Sequence, residues 1–249
     1  MNAYGALATS YDRLTNDVDY NATVNFYWEI LAREGVTPRT AVDLACGTGS
    51  VAILLAEKGL QVTAVDMSSE MLCVATQKAE KLKNRPLFIC QKLQNLYLPR
   101  GVDLAVCALD SLNYVTDPAD CTAAIARVYK ALNPGGCFIF DVNTPEKLHA
   151  MDDQVFLDED DDVYCVWRGE FDQESNICSY TMDLFQRQGN VWHRSFEEHR
   201  EYAYTQQQLT DYLKAAGFCS IEVFADRRLC APGPDEQRIY IKARKGRRK

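Results

Sequence analysis

The chain has 249 residues, 47% of them hydrophobic, enough to bury one large core and a natural size for a single α/β domain carrying an insertion. A formal charge of −8 argues against a nucleic-acid grip by the whole body, and no run of about 18 apolar residues predicts a membrane span. Ten cysteines without a Cys-x-x-Cys pair read as small apolar residues, not as a disulfide frame or zinc site; with an opening Met-Asn-Ala-Tyr-Gly that lacks a secretion signal, they predict a cytoplasmic protein.

Residues 1 to 39 lead in. Tyr4, Tyr11 and Tyr20 dot a polar stretch, and Asn21 to Glu34 reads as a helix with Val24, Tyr27, Trp28 and Leu31 on one face, stopped by Gly35 and Pro38. Thr40 to Ala45 is apolar enough for a strand, and Ser50 to Lys58 reads as a helix closed by Gly59. Between them lies Cys46-Gly47-Thr48-Gly49, a turn that lets a ligand approach bare backbone beside free helical N–H groups. A second apolar run, Gln61 to Val65, ends in Asp66, an acid placed to accept hydrogen bonds from a ribose. A nucleoside is therefore expected across these two strand tips.

Gly47-Thr48-Gly49-Ser50-Val51-Ala52 also fits the alanine-ended dinucleotide fingerprint, which leaves a nicotinamide oxidoreductase as an alternative. Asp43 weighs against it, because a carboxylate just before the turn would repel a pyrophosphate. S-adenosylmethionine carries an ammonium and a sulfonium and no phosphate, so a carboxylate there suits it. Asp43 can equally bind backbone N–H groups of its own turn, and the two roles are compatible.

Ser69 to Lys83 reads as a helix, Pro86 to Cys90 as a third strand and Val102 to Ala108 as a fourth, apolar apart from Asp103 as befits a strand covered on both faces. Asp117-Pro118 starts a helix to Leu132, Asn133-Pro134-Gly135-Gly136 ends it, and Cys137 to Val142 is strand five. Strands alternating with helices predict a parallel sheet with right-handed crossovers, whose ligand crevice opens at the carboxyl ends of strands one and four. That rule places Asp43 to Gly49 and Asp110 to Tyr114 on one crevice.

Residues 145 to 204 break the alternation. Val163 to Phe171, Ile177 to Arg187 and Val191 to Tyr202 read as three antiparallel strands of a small cap, with Gln188-Gly189-Asn190 as a hairpin turn. The five acids Asp158 to Asp162 ahead of them read as a solvated loop, and no metal site is expected. Thr205 to Gln208 fits a capping box for a helix to Ala216, followed by strands Phe218 to Ala225 and Arg238 to Arg244. Lys242 to Lys249 holds six of the 27 cationic residues and reads as a solvated tail, with RNA contact as the sharper alternative.

Val42-Asp43-Leu44-Ala45-Cys46-Gly47-Thr48-Gly49, then Val65-Asp66-Met67-Ser68-Ser69-Glu70-Met71-Leu72, then Leu132-Asn133-Pro134-Gly135-Gly136 resemble the motifs of class I S-adenosylmethionine-dependent methyltransferases. The resemblance spans roughly residues 40 to 144 plus the closing strands and points to a small-molecule type with an inserted antiparallel cap. It implies a Rossmann-like, seven-stranded, mostly parallel sheet with helices on both faces and an antiparallel final hairpin. The main domain would take residues 1–144 and 205–249, with 1–39 as a helical lid and 145–204 as the cap. It implies S-adenosyl-L-methionine as cofactor, a small-molecule nitrogen or oxygen acceptor, and a monomer or homodimer.

Carried onto this sequence, the resemblance makes Asp43, Ala45, Cys46, Gly47, Gly49, Asp66, Met67, Met71, Leu93, Gln94 and Leu109 cofactor contacts, with Tyr11 and Tyr20 on the lid. Lys92 departs from the pattern: similar proteins carry an acid there to receive the adenine amino group, and lysine cannot accept a hydrogen bond. The adenine contact then passes to the Leu93 backbone and Gln94, and Lys92 motivates a further alternative, a cofactor-binding module without transferase activity. Asp110 and Tyr114 are the catalytic candidates, Asp110 to hold an ammonium or take a proton and Tyr114 to orient the acceptor; capping and packing explain the pair equally well. His193 and His199 share one face of a regular strand without either being assigned a role, and Tyr164, Trp167, Tyr180 and Trp192 form either an aromatic cage or the cap's own core.

Overall fold

The computed structural model describes Asp12 and residues 18–247. Helix α1 (Tyr20–Arg33) precedes β1 (Thr40–Leu44), α2 (Ser50–Glu57), β2 (Gln61–Asp66), α3 (Ser69–Lys78) and β3 (Leu87–Cys90). A 3-10 turn, Leu93–Asn95, leads to β4 (Val102–Cys107), α4 (Pro118–Ala131) and β5 (Leu132–Asn143). The short α5 (Pro145–His149) opens the cap strands β6 (Val155–Glu159), β7 (Val163–Asp172), β8 (Ile177–Gln188) and β9 (Val191–Tyr202). Helix α6 (Gln206–Ala216) and the hairpin β10 (Phe218–Ala225) and β11 (Arg238–Lys245) complete it.

The main sheet runs β10-β11-β5-β4-β1-β2-β3, parallel throughout except that β11 is antiparallel to both neighbours. Its central strands are apolar on both sides because helices cover both faces. Val42, Leu44, Phe138 and Phe140 point to the side covered by α4 and α6, where Ile125, Val128, Leu209 and Leu213 pack. Ala41, Leu104, Val106 and Ile139 point to the other, under α1 and α2. The expected fold class therefore holds: seven strands, helices on two faces, an antiparallel closing hairpin and a separate antiparallel sheet β6-β7-β8-β9.

Several boundaries differ from expectation for physical reasons. Phe26 and Ile30 join Val24, Tyr27 and Leu31 in the buried face of α1, while Trp28 sits at the rim with the Lys58 ammonium 5.1 Å from its ring. This helix lies on the sheet; Val18 and Tyr20 at its start are the parts that reach the crevice, and Tyr11 lies outside the described residues. Helix α3 stops at Lys78 instead of Lys83, and the Asn84 amide then donates to the Ala56 and Leu60 carbonyls, drawing the chain back toward β2. The Asn133-Pro-Gly-Gly136 segment belongs to β5, because the Asn133 amide donates to Asp103 at 2.8 Å and Leu132 pairs with Val102.

The cap has four strands, one more than expected. Strand β6 is exposed along its whole length and carries Asp158 and Glu159, the charged habit of an edge strand. Only Asp160 to Asp162 of the acidic run form a turn, in which Asp160 Oδ1 accepts the N–H groups of Asp162 and Val163. The basic stretch is likewise not a loose tail: Lys242, Arg244 and Lys245 lie in β11. Lys242 is fully buried, its ammonium 2.8 Å from both Glu34 and Glu222, and Lys245 donates to the Tyr129 and Leu132 carbonyls. Five of the ten cysteines are buried, including Cys107 and Cys137, whereas Cys90 and Cys219 are exposed on their strands. Among the described residues no helix is long and apolar enough to cross a membrane.

Candidate functional site

The tips of β1 and β2 end side by side, and the turn after β1 is tied to β2 by its backbone. Cys46 N–H donates to the Val65 carbonyl at 3.0 Å and Gly47 N–H to Asp66 Oδ2 at 2.8 Å. The two glycines do different work. Gly47 has φ +52, and a Cβ there would meet open space, so it leaves the turn bare toward the crevice. Gly49, at φ +79, would place a Cβ 3.0 Å from that of Ala75 and 3.2 Å from Phe88; it permits helix–strand packing and lies outside the lining of the crevice and its recess.

Asp66 braces this turn from β2, taking Gly47 N–H on one oxygen and Ser68 N–H on the other at 2.8 Å. Met67 N–H lies against the same carboxylate, which still keeps acceptor capacity for a ligand. Burial raises its carboxyl above the usual range. Asp43 is more extreme: it is 1% exposed, accepts the Ala52 N–H, and its Oδ2 has no hydrogen-bond partner among the described residues. Burial pushes its carboxyl up to about 8. A buried carboxylate oxygen without a donor is a group that an incoming cation satisfies. It borders a recess of about 40 Å³ with Tyr20, Ala45, Cys46, Gly47 and Leu109.

Beside the recess lies a cavity of about 460 Å³. Ala45, Gly47, Asp66, Met67 and Met71 line it from the first two strands and α3. Leu93 and Gln94 line it from the 3-10 turn, where the Gln94 amide donates to Asp120 at 3.0 Å, and the exposed Lys92 borders it as well. Leu109, Asp110 and Tyr114 form the wall beyond β4. The sequence-predicted residues thus converge on the crevice, apart from Gly49 behind it and Tyr11.

The wall beyond β4 depends on two residues missed by sequence reasoning. Asp141 on β5 accepts the Leu109 and Asp110 N–H groups at 2.9 and 3.0 Å, and Arg238 on β11 bridges the Asp141 and Asp110 carboxylates, the latter at 2.5 Å. Asp110 therefore faces a guanidinium. Glu201 on β9 was also missed; it accepts from the Asn143 amide at 2.8 Å, and burial together with the charge of Asp110 pushes its carboxyl up to about 8. No local sequence signal marks these three, because each acts through pairing between distant strands.

The cap closes the cavity with Trp167 and His199. His199 is buried, with Nε2 3.4 Å from Glu197 and its ring 6.0 Å from those of Tyr114 and Trp167. His193 shares its strand face but is exposed at the far end. The four cap aromatics form no common cage: Tyr180 packs by Leu148 and Cys178, while Tyr164 and Trp192 border a separate groove with Phe185. Among the described residues there is no grouping of three potential metal ligands.

Comparison with known proteins gives a consistent answer. Residues 41–136 match the methyltransferase domain family. YqeM of Bacillus subtilis (strain 168), assigned to the methyltransferases without a named acceptor, is 31% identical over 98% of each chain. The crystal structure of an S-adenosylmethionine-dependent methyltransferase from Clostridium acetobutylicum ATCC 824 is 32% identical, covering 98% of this chain and 100% of its own, with a TM-score of 0.89. The sugar N-methyltransferase KedS8 from Streptoalloteichus sp ATCC 53650, 18% identical over 95% and 92% of the two chains with a TM-score of 0.80, shares the fold. These likenesses favour methyl transfer over the nicotinamide and cofactor-module alternatives. The chain belongs to the class I S-adenosylmethionine-dependent methyltransferases, enzymes that take their methyl group from that cofactor.

Proposed function

We propose that the acceptor is a small molecule with a nitrogen or oxygen nucleophile, seated where the loop after β4 meets the cap. The observation that carries this is the single cavity walled at one end by Gly47 and Asp66 and at the other by Trp167 and His199. A cofactor site and an acceptor site within one volume of about 460 Å³, closed by a side-chain wall from the cap, suit a small ligand.

The residues present fit the cofactor. Asp43, with its partnerless oxygen, suits the ammonium; Gly47 leaves room for close approach, and Asp66 has lone pairs for the ribose. Lys92 contributes no acceptor, so the adenine is assigned to Leu93 and Gln94. When bound, S-adenosylmethionine would supply an electrophilic methyl group on its sulfonium, which an acceptor lone pair would take in line as the C–S bond breaks and S-adenosylhomocysteine leaves as a neutral thioether. The chain's task is then alignment, worth on the order of 7–11 kcal/mol in favourable cases. Tyr114 orients the acceptor. His199, braced by Glu197, takes the proton lost by a hydroxyl or ammonium on one ring nitrogen, a role for which Asp110 is poorly suited while it faces Arg238.

Labelled cofactor offered with a pool of small amines and alcohols tests the reading. Label in low-mass products is expected; label appearing in protein or RNA alone would overturn it.

A further inference from the structure

We infer that Arg238, on the last strand, is the positioning residue of the acceptor wall: it holds the turn after β4 in a conformation that the turn's own residues disfavour. The inference rests on the acceptor site proposed above. Leu109 and Asp110 are consecutive non-glycine residues with φ +54 and +50, a left-handed pair in which each Cβ crowds the backbone. Such a pair persists only where surrounding contacts over-determine it. Here Asp141, fully buried, receives both N–H groups, and Arg238 pins the Asp141 and Asp110 carboxylates together.

The turn's other end is fastened by different means. Asn113 is buried, its amide donates to the Asn143 and Tyr202 carbonyls at 3.1 and 3.0 Å, and its carbonyl takes Tyr202 N–H at 2.7 Å. Tyr114, the next residue, lines the cavity opposite His199. Releasing the Arg238 end would let Leu109 and Asp110 relax to right-handed backbone and shift the segment that leads into Tyr114. A guanidinium suits the task because its planar fork engages two carboxylates at once; an ammonium keeps the charge and loses that geometry.

The test compares the full-length wild type, Arg238→Lys, Leu109→Gly and the double variant. Arg238→Lys is the primary substitution because Arg238→Met would strand two carboxylates. Arg238→Lys is expected to speed hydrogen exchange at the Leu109 and Asp110 amides by roughly 10-fold. With whichever amine or alcohol the wild type methylates, kcat should fall by about 10-fold or more while KM changes less. Glycine adopts positive φ without penalty, so at saturating cofactor Arg238→Lys should cost less kcat in the Leu109→Gly background than in the wild type, a comparison that cancels the loss of the Leu109 side chain from the cavity wall. A residue that merely stabilised the fold would give no such rescue. Wild-type exchange and kcat in Arg238→Lys, or an Arg238→Lys loss in kcat that is as large in the Leu109→Gly background as in the wild type, would overturn the inference. A wild type that methylates nothing in the pool would instead count against the proposed acceptor, and the exchange comparison would still decide the role of Arg238.

Discussion

The two ends of the crevice are built by opposite strategies. At the β1–β2 end, backbone makes the site: a bare glycine, N–H groups tied to the neighbouring strand, and carboxylates sunk at strand tips. At the cap end, side chains make it: Trp167, His199 and Tyr114 project from three elements far apart in sequence. The contrast teaches which residues can vary. A backbone-built site tolerates few residue types at each position, whereas a wall of side chains can be re-cut for a new acceptor without disturbing the sheet.

The sharpest way to break this comparison is Gly47→Val. A β-branched residue at positive φ, with its side chain in the ligand's space, should weaken S-adenosylhomocysteine binding by about 3 kcal/mol or more, read by calorimetry. Normal binding would mean that the turn is not the cofactor's seat. Asp66→Ala comes next, with an expected loss of roughly 1.5–3 kcal/mol of cofactor affinity through the missing charged acceptor and the unbraced Gly47 N–H.

Trp167→Ala probes the other end. Trp167 is half-buried, so the loss in acceptor kcat/KM should be about 1–2 kcal/mol, part of the worth of burying a large apolar side chain, with cofactor affinity nearly unchanged. Equal losses in both measurements would show that the two ends are not separable.

The smallest effect concerns pH. Asp43 is held near 8 in the folded chain, far above its unfolded value, so the native state binds the extra proton between about pH 4 and 8. Its contribution to stability is present below that window and is lost as pH rises through it. Thermal melts of the ligand-free protein at pH 6.5 and 7.5 should therefore show a fall that Asp43→Asn makes shallower by about 1 kcal/mol. Binding a cation beside this carboxylate should also release a proton near neutral pH, visible as a dependence of the binding heat on the buffer.

The same division explains what could be read from the sequence. Strand order and the crevice at the β1–β2 tips were legible because each depends on local rules: Gly47 for a bare turn, Asp66 closing an apolar run, Asp117-Pro118 and Thr205 opening helices. The β6 strand escaped because an exposed edge carries no apolar alternation to betray it. Arg238, Asp141 and Glu201 escaped because their roles arise from pairing across the sheet and against the cap, at separations no motif spans. His193 and His199 share a strand face, yet only where the cap meets the cavity decides which of them is useful. Lys242 to Lys245 misled by composition: charge in a terminal run suggests solvent, and here Glu34 and Glu222 draw it inside.

Strand β11 follows every other described element in the chain, yet it lies second from the edge of the sheet, between β5 and β10. On a growing chain the β5 border must therefore wait unpaired while all the preceding residues are made. Arg238 rides in on that late strand, so the wall beyond β4 is finished after the β1–β2 end of the crevice has all its parts. Closing the sheet and setting that wall are thus a single step, and a variant in which β11 pairs loosely with β5 should lose both together.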